Sequence, residues 1–188
     1  AKHTEVLNYL DVLIQDDAPA ADADYIAFAN GVYDLKTGEL MPFSPEFVIT
    51  NRIPWEYDPT IWSEFTDKTL RRLACGDDGI YSLLEEVIGY LFYRRNELRK
   101  SFILVGDKAN GKSTYLDMLK TLLGDSNTSA LDLAELGERF KTAELFGKLA
   151  NISDDIGDEF IANPAIFKKL VSGDRVNAER KGQDPFDF

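Results

Sequence analysis

The sequence predicts an α/β fold in its second half, preceded by a mostly helical region with a small β-hairpin. Three observations carry this expectation. Phe102-Ile103-Leu104-Val105 is a short apolar run, as a buried parallel strand requires, and it leads through a glycine-bearing loop into the helical pattern Tyr115, Leu116, Met118, Leu119, Leu122, Leu123, closed by Gly124. Apolar positions recur at helical spacing in two upstream stretches, Trp62, Phe65, Thr69, Leu70, Leu73 and Ile80, Leu83, Leu84, Val87, Ile88, Leu91, Phe92. Tyr25–Phe28, Gly31–Leu35 and Leu40–Phe43 read as extended segments, with a turn at Lys36-Thr37-Gly38-Glu39.

Val6, Leu7, Leu10, Leu13 and Ile14 predict a further helix over residues 4–14, followed by a loop over 16–24. Pro42, Pro45, Pro54 and Pro59 make residues 42–60 extended and irregular. The apolar residues of the two central helices, Trp62, Phe65, Ile80 and Leu83 among them, are expected to pack in a core. The texture changes after Arg94-Arg95-Asn96-Glu97, which divides the chain into residues 1–96 and 97–188.

Composition narrows the chemistry. The chain has 188 residues, one cysteine (Cys75) and one histidine (His3), so an internal disulfide, a Cys/His zinc site and a Ser-His or Cys-His catalytic pair in the body of the domain are excluded. No apolar run approaches the roughly 20 residues that cross a bilayer, and the opening Ala-Lys-His-Thr-Glu has no apolar segment. The expectation is a cytoplasmic protein without membrane contact. A net charge of -12 argues against coating nucleic acid over a broad surface. Positive charge is nonetheless gathered locally: Lys168, Lys169, Arg175, Arg180 and Lys181 stand against Asp174 and Glu179 within residues 164–181.

Residues Gly106-Asp107-Lys108-Ala109-Asn110-Gly111-Lys112-Ser113 complete the phosphate-loop spacing G-x-x-x-x-G-K-[ST], with Thr114 following. In such a loop successive backbone N–H groups wrap a β-phosphate, and Gly106 and Gly111 admit the close approach. Lys112 reaches between the β- and γ-phosphates, and Ser113 offers a hydroxyl to Mg2+. The helix that follows directs the positive end of its dipole at the phosphates. The cofactors implied are ATP and Mg2+.

Such a loop needs an acidic partner at the end of a neighbouring strand. Leu149-Ala150-Asn151-Ile152-Ser153-Asp154-Asp155 fits, with Asp154 for magnesium and Asp155 to orient or deprotonate the attacking water. Asp158-Glu159 is a rival pair, but the acidic and glycine residues before it do not make the end of a buried strand. Asn151 and Ser153 lower the apolar character of the proposed strand.

Taken together, the loop at 106–113, Ile152-Ser153-Asp154-Asp155, Phe167–Asp174 and Arg180-Lys181 resemble motifs A, B and B-prime of superfamily-three helicases. Residues 25–93 resemble the N-terminal module of the phage and plasmid primase-helicases related to the poxvirus primase-helicase. That likeness rests on Asn30–Leu35, Thr37–Leu40, Thr50, Tyr57-Asp58-Pro59 and Glu86–Tyr90. The resemblance implies a P-loop NTPase core of the hexameric-helicase, AAA+-like type and ATP-dependent unwinding of DNA by a homo-hexamer in a bacterial host. It also implies a DNA-contacting hairpin with Arg180 and Lys181 at its tip. Motif C and the arginine given to a neighbouring subunit would lie beyond Phe188, so the chain reads as a fragment that hydrolyses ATP poorly by itself. Two other classes stay open: a nucleotide- or DNA-binding assembly module without turnover, and a P-loop kinase, against which the lack of an arginine-rich lid speaks.

Overall fold

The computed structural model describes residues 21–154 and 164–188. The helix anticipated over 4–14 lies outside the described residues. Those residues form helices with three small sheets, and no helix among them is long and apolar enough to cross a membrane.

The hairpin anticipated near residues 31–43 is part of a three-stranded antiparallel meander: β1 (Tyr25–Phe28), β2 (Gly31–Asp34) and β3 (Glu39–Met41). Ile26 lies opposite Tyr33, and Val32 opposite Met41. Gly31 has no room for a Cβ, which would strike the Met41 carbonyl, and Gly38 takes the left-handed φ of 74° that its turn requires. The proline-rich segment returns along the meander, where the Ile53 amide donates to Ala27 O at 2.8 Å. Asn30 fixes the far end by exchanging two bonds with the Tyr57 backbone, at 2.9 and 3.0 Å.

Helix α1 (Glu64–Leu73) starts at Ser63, whose hydroxyl accepts from the Thr66 amide, and carries Arg71 and Arg72 in its last turn. Cys75 and Gly76, both at positive φ, turn the chain sharply. Helix α2 (Asp78–Phe92) begins at once, its N-terminus capped by the Asp77 carboxylate on Gly79 N and Ile80 N. Helix α3 (Lys112–Leu123) ends at Gly124, at φ 82°. Beyond it lie the parallel pair β4 (Thr128–Ser129) and β5 (Ala150–Asn151), helix α4 (Pro164–Ser172), and the antiparallel pair β6 (Asn177–Ala178) and β7 (Phe186–Asp187).

One core joins the meander, α1, α2, α3 and β5. Tyr115, Leu119 and Leu123 make a single buried stripe on α3, packed with Ile26, Ile53, Leu70, Val87 and Ile152. The regions either side of residue 97 therefore share apolar packing. Tyr115 adds a bond from its hydroxyl to Leu84 O at 2.7 Å, and burial pushes its phenol up to about 12.

Two expectations fail here. Phe102–Val105 is not a strand: Leu104 packs against the core, while Val105 is 89% exposed. A buried strand needs backbone partners on both sides, and no described residue pairs with this run. Trp62, Phe65, Ile80 and Leu83 are exposed rather than packed. Their helices meet the core through Leu70, Leu73, Leu84, Val87 and Ile88, so the apolar stripes in the sequence are wider than the surface that covers them.

Leu123→Ala is expected to cost about 2–5 kcal/mol in denaturant unfolding, as a fully buried leucine should. Phe65→Ala should change stability by no more than about 0.5 kcal/mol. Comparable losses in the two variants would contradict this division between core and surface.

Candidate functional site

The loop from Gly106 to Gly111 runs into α3 through two left-handed residues, Ala109 at φ 57° and Gly111 at φ 92°. Gly111 sits against α1, where a Cβ would collide with the Leu73 side chain; at Gly106 it would collide with the Asn110 amide. Gly111 is thus required by its left-handed backbone as well as by space, whereas at Gly106 the Asn110 side chain would have to move. Lys112 begins the helix and folds back into the loop. Its ammonium donates to Gly106 O and Asp107 O, each at 2.8 Å, and to Asn110 Oδ1 at 3.0 Å. The loop thereby forms a ring around one cation. Asp107, Lys108, Ala109, Asn110, Ser113 and Thr114 are exposed around it. No side chain caps the start of α3, and no acidic residue stands in its first turn, so the helix dipole there is not offset locally.

The acidic segment is held by side chains rather than by a long ladder. Asn151 acts as a surrogate strand partner: its amide donates to Leu131 O, and its carbonyl accepts from the Leu131 amide, both at 2.8 Å. The Ser129 hydroxyl also donates to that carbonyl, at 2.9 Å. Ser153 donates to Asp132 at 2.6 Å. The polar residues that looked out of place in an apolar strand therefore do its pairing. Ile152, between them, enters the core.

Asp154 comes next, and its Oδ1 accepts from Lys120 Nζ at 2.7 Å. Lys120 stands eight residues beyond Lys112 on α3, roughly 12 Å along the axis. Asp155, Asp158 and Glu159 lie outside the described residues.

The basic hairpin has its tip where the sequence put it. Val176 and Phe188 exchange backbone bonds at 2.8 and 3.0 Å, and the Gln183 amide donates to Arg180 O at 3.1 Å around Gly182. Lys181 is exposed at the turn. Arg180 is engaged with aromatics: its guanidinium carbon lies 5.0 Å from the Phe186 ring centre and 5.6 Å from that of Phe146. Glu179 takes two bonds from Arg139, at 2.8 and 3.0 Å, which hold its carboxyl below the usual carboxylate range. Sequence reading missed Lys120, Arg139 and the Phe146 contact. Only Asn151 and Ser153, polar residues in an apolar run, left a visible signal.

Two comparisons bear on this arrangement. Residues 104–188 match the model of a family of unknown function, DUF5906. Residues 1–75 match the model described as D5 N terminal like. Each match covers less than half of the chain. No curated protein matches it. Residues 1–75 are thus similar to the D5-like N-terminal part of phage and plasmid primase-helicase proteins, a likeness that suggests a role in DNA replication.

Proposed function

We propose that residues 106–114 bind the phosphates of ATP with Mg2+, and that the protein is the ATPase part of a DNA helicase of phage or plasmid replication, built on a P-loop core. The observation that carries this is the loop around Lys112: the Gly106 and Asp107 carbonyls gathered on one ammonium, and a left-handed Gly111 set against Leu73, at an uncapped helix N-terminus. On this reading Lys112 exchanges its loop carbonyls for β- and γ-phosphate oxygens, and the first amides of α3 follow. The Ser113 hydroxyl and the Asp154 carboxylate are hard oxygen donors that suit Mg2+, which would neutralise charge on the phosphates. Asp155 would orient a water, which attacks the γ-phosphorus as the bond to the β–γ bridging oxygen breaks and ADP leaves. The D5-like N-terminal region supports the replication context. DNA as partner, the homo-hexamer and the bacterial cytoplasm belong to this reading.

A second reading is a nucleotide- or DNA-binding assembly module without turnover. It is favoured by the exposed 102–105 run and by the engagement of Asp154 with Lys120.

Lys112→Ala is expected to weaken ATP binding at least tenfold, about 1.4 kcal/mol, with the unfolding transition unchanged. Unaltered affinity in calorimetric titration would remove the phosphate-loop assignment. Replacing Arg180 and Lys181 together with Ala should reduce binding to single-stranded DNA uniformly across sequences and flatten its salt dependence, while ATP affinity persists. An unchanged salt slope would make the two residues ordinary surface. The Arg180 contact with Phe146 and Phe186 calls for a thermal melt of the double variant beside the binding curve.

A further inference from the structure

The contact between Lys120 and Asp154 spans 34 positions of sequence and joins the helix behind the loop to the acidic segment. It is not a loose surface pair. The Lys120 side chain is only 26% exposed, and it leaves α3 from beside the buried Leu119. The Asp154 carboxylate is the more open partner, at 58%. Ile152 in the core and the bond of Ser153 to Asp132 fix the two residues before it. The carboxylate is therefore delivered to one place, and a lysine occupies that place. A helical side chain leans toward the helix N-terminus, which here is the end that carries the loop.

We propose that this ion pair is a latch: Lys120 holds the Asp154 carboxylate until magnesium nucleotide arrives, and so sets the magnesium concentration at which nucleotide binds. The proposal rests on the nucleotide-binding reading above. A carboxylate that keeps its ammonium partner while taking a divalent cation would bring two positive groups together, so metal binding and the ion pair compete. Lys120 touches neither nucleotide nor metal; it acts through Asp154 as a positioning residue. No bond forms or breaks in this step beyond the exchange of one cation for another at the carboxylate.

The test follows binding of ADP carrying a fluorescent ribose label to the whole chain, titrated with magnesium at fixed ionic strength. Lys120→Met should reach half-maximal binding at roughly two- to five-fold lower magnesium, the range that corresponds to losing one partly exposed ion pair. Lys120→Arg, which keeps the charge, should track the wild type. Asp154→Asn should lose the magnesium response. Lys120→Gln takes the place of Lys120→Met if a thermal melt shows that methionine unsettles the helix. A melting shift in either variant with the wild-type magnesium midpoint would make the pair purely structural and overturn the proposal. So would a full magnesium response in Asp154→Asn. Absence of magnesium-dependent binding in the wild type, or wild-type binding by Lys112→Ala, would instead remove the nucleotide reading itself and the latch with it.

Discussion

The buried stripe of α3 is the constraint on which the rest of the structure depends. Tyr115, Leu119 and Leu123 lie on one face at successive turns, and each is worth about 1.5–3 kcal/mol of burial. The loop and the acidic segment of the candidate site are both set by that helix. The loop enters at its first residue, against Leu73 of α1. Lys120, on its flank, takes Asp154. At its far end the buried Asn127 donates to Leu123 O and Arg52 O, both at 2.8 Å, and so ties the helix to the segment that returns along the meander. Trp55 adds a bond to Thr121 O at 3.0 Å. A helix gripped at both ends and along one face holds its N-terminus in a fixed direction, which is what a loop that encircles a cation requires.

What was legible in the sequence is what local physics decides. Helical spacing located α1, α2 and α3, and Gly38 and Gly182 marked turns that need a left-handed residue. The segment singled out by its glycine and lysine spacing, 106–113, is a loop with left-handed residues at Ala109 and Gly111 that runs into α3. What was not legible depends on residues far apart. The Lys120–Asp154 contact spans 34 positions, Arg139–Glu179 spans 40, and the Asn151 bonds to Leu131 span 20. Periodicity carries no information about such pairs. The run Phe102–Val105 has the composition of a buried strand, but composition does not supply a neighbour, and a strand without one exposes its side chains. Phe65 and Ile80 show the same limit on helices: an apolar stripe says which face can be buried, and only the tertiary packing says how much of it is.

Charge is unevenly distributed. The chain is strongly acidic, at -12, yet the hairpin tip presents Arg180 and Lys181, with Glu179 withdrawn into a pair with Arg139. That pairing removes from the tip the negative charge nearest to the two cations in sequence. The match of residues 1–75 to the D5 N terminal like model concerns the other end of the chain, and the α3 packing fixes the loop at 106–111.

The central claim is that the ring around Lys112 is a phosphate site. Amide hydrogen exchange reads it most directly, because the proposed ligands are backbone N–H groups. With saturating magnesium ATP, protection should rise at residues 106–114 and along the first turn of α3, while β1, β2 and β3 stay unchanged. Identical exchange at 106–114 with and without the nucleotide would contradict the account.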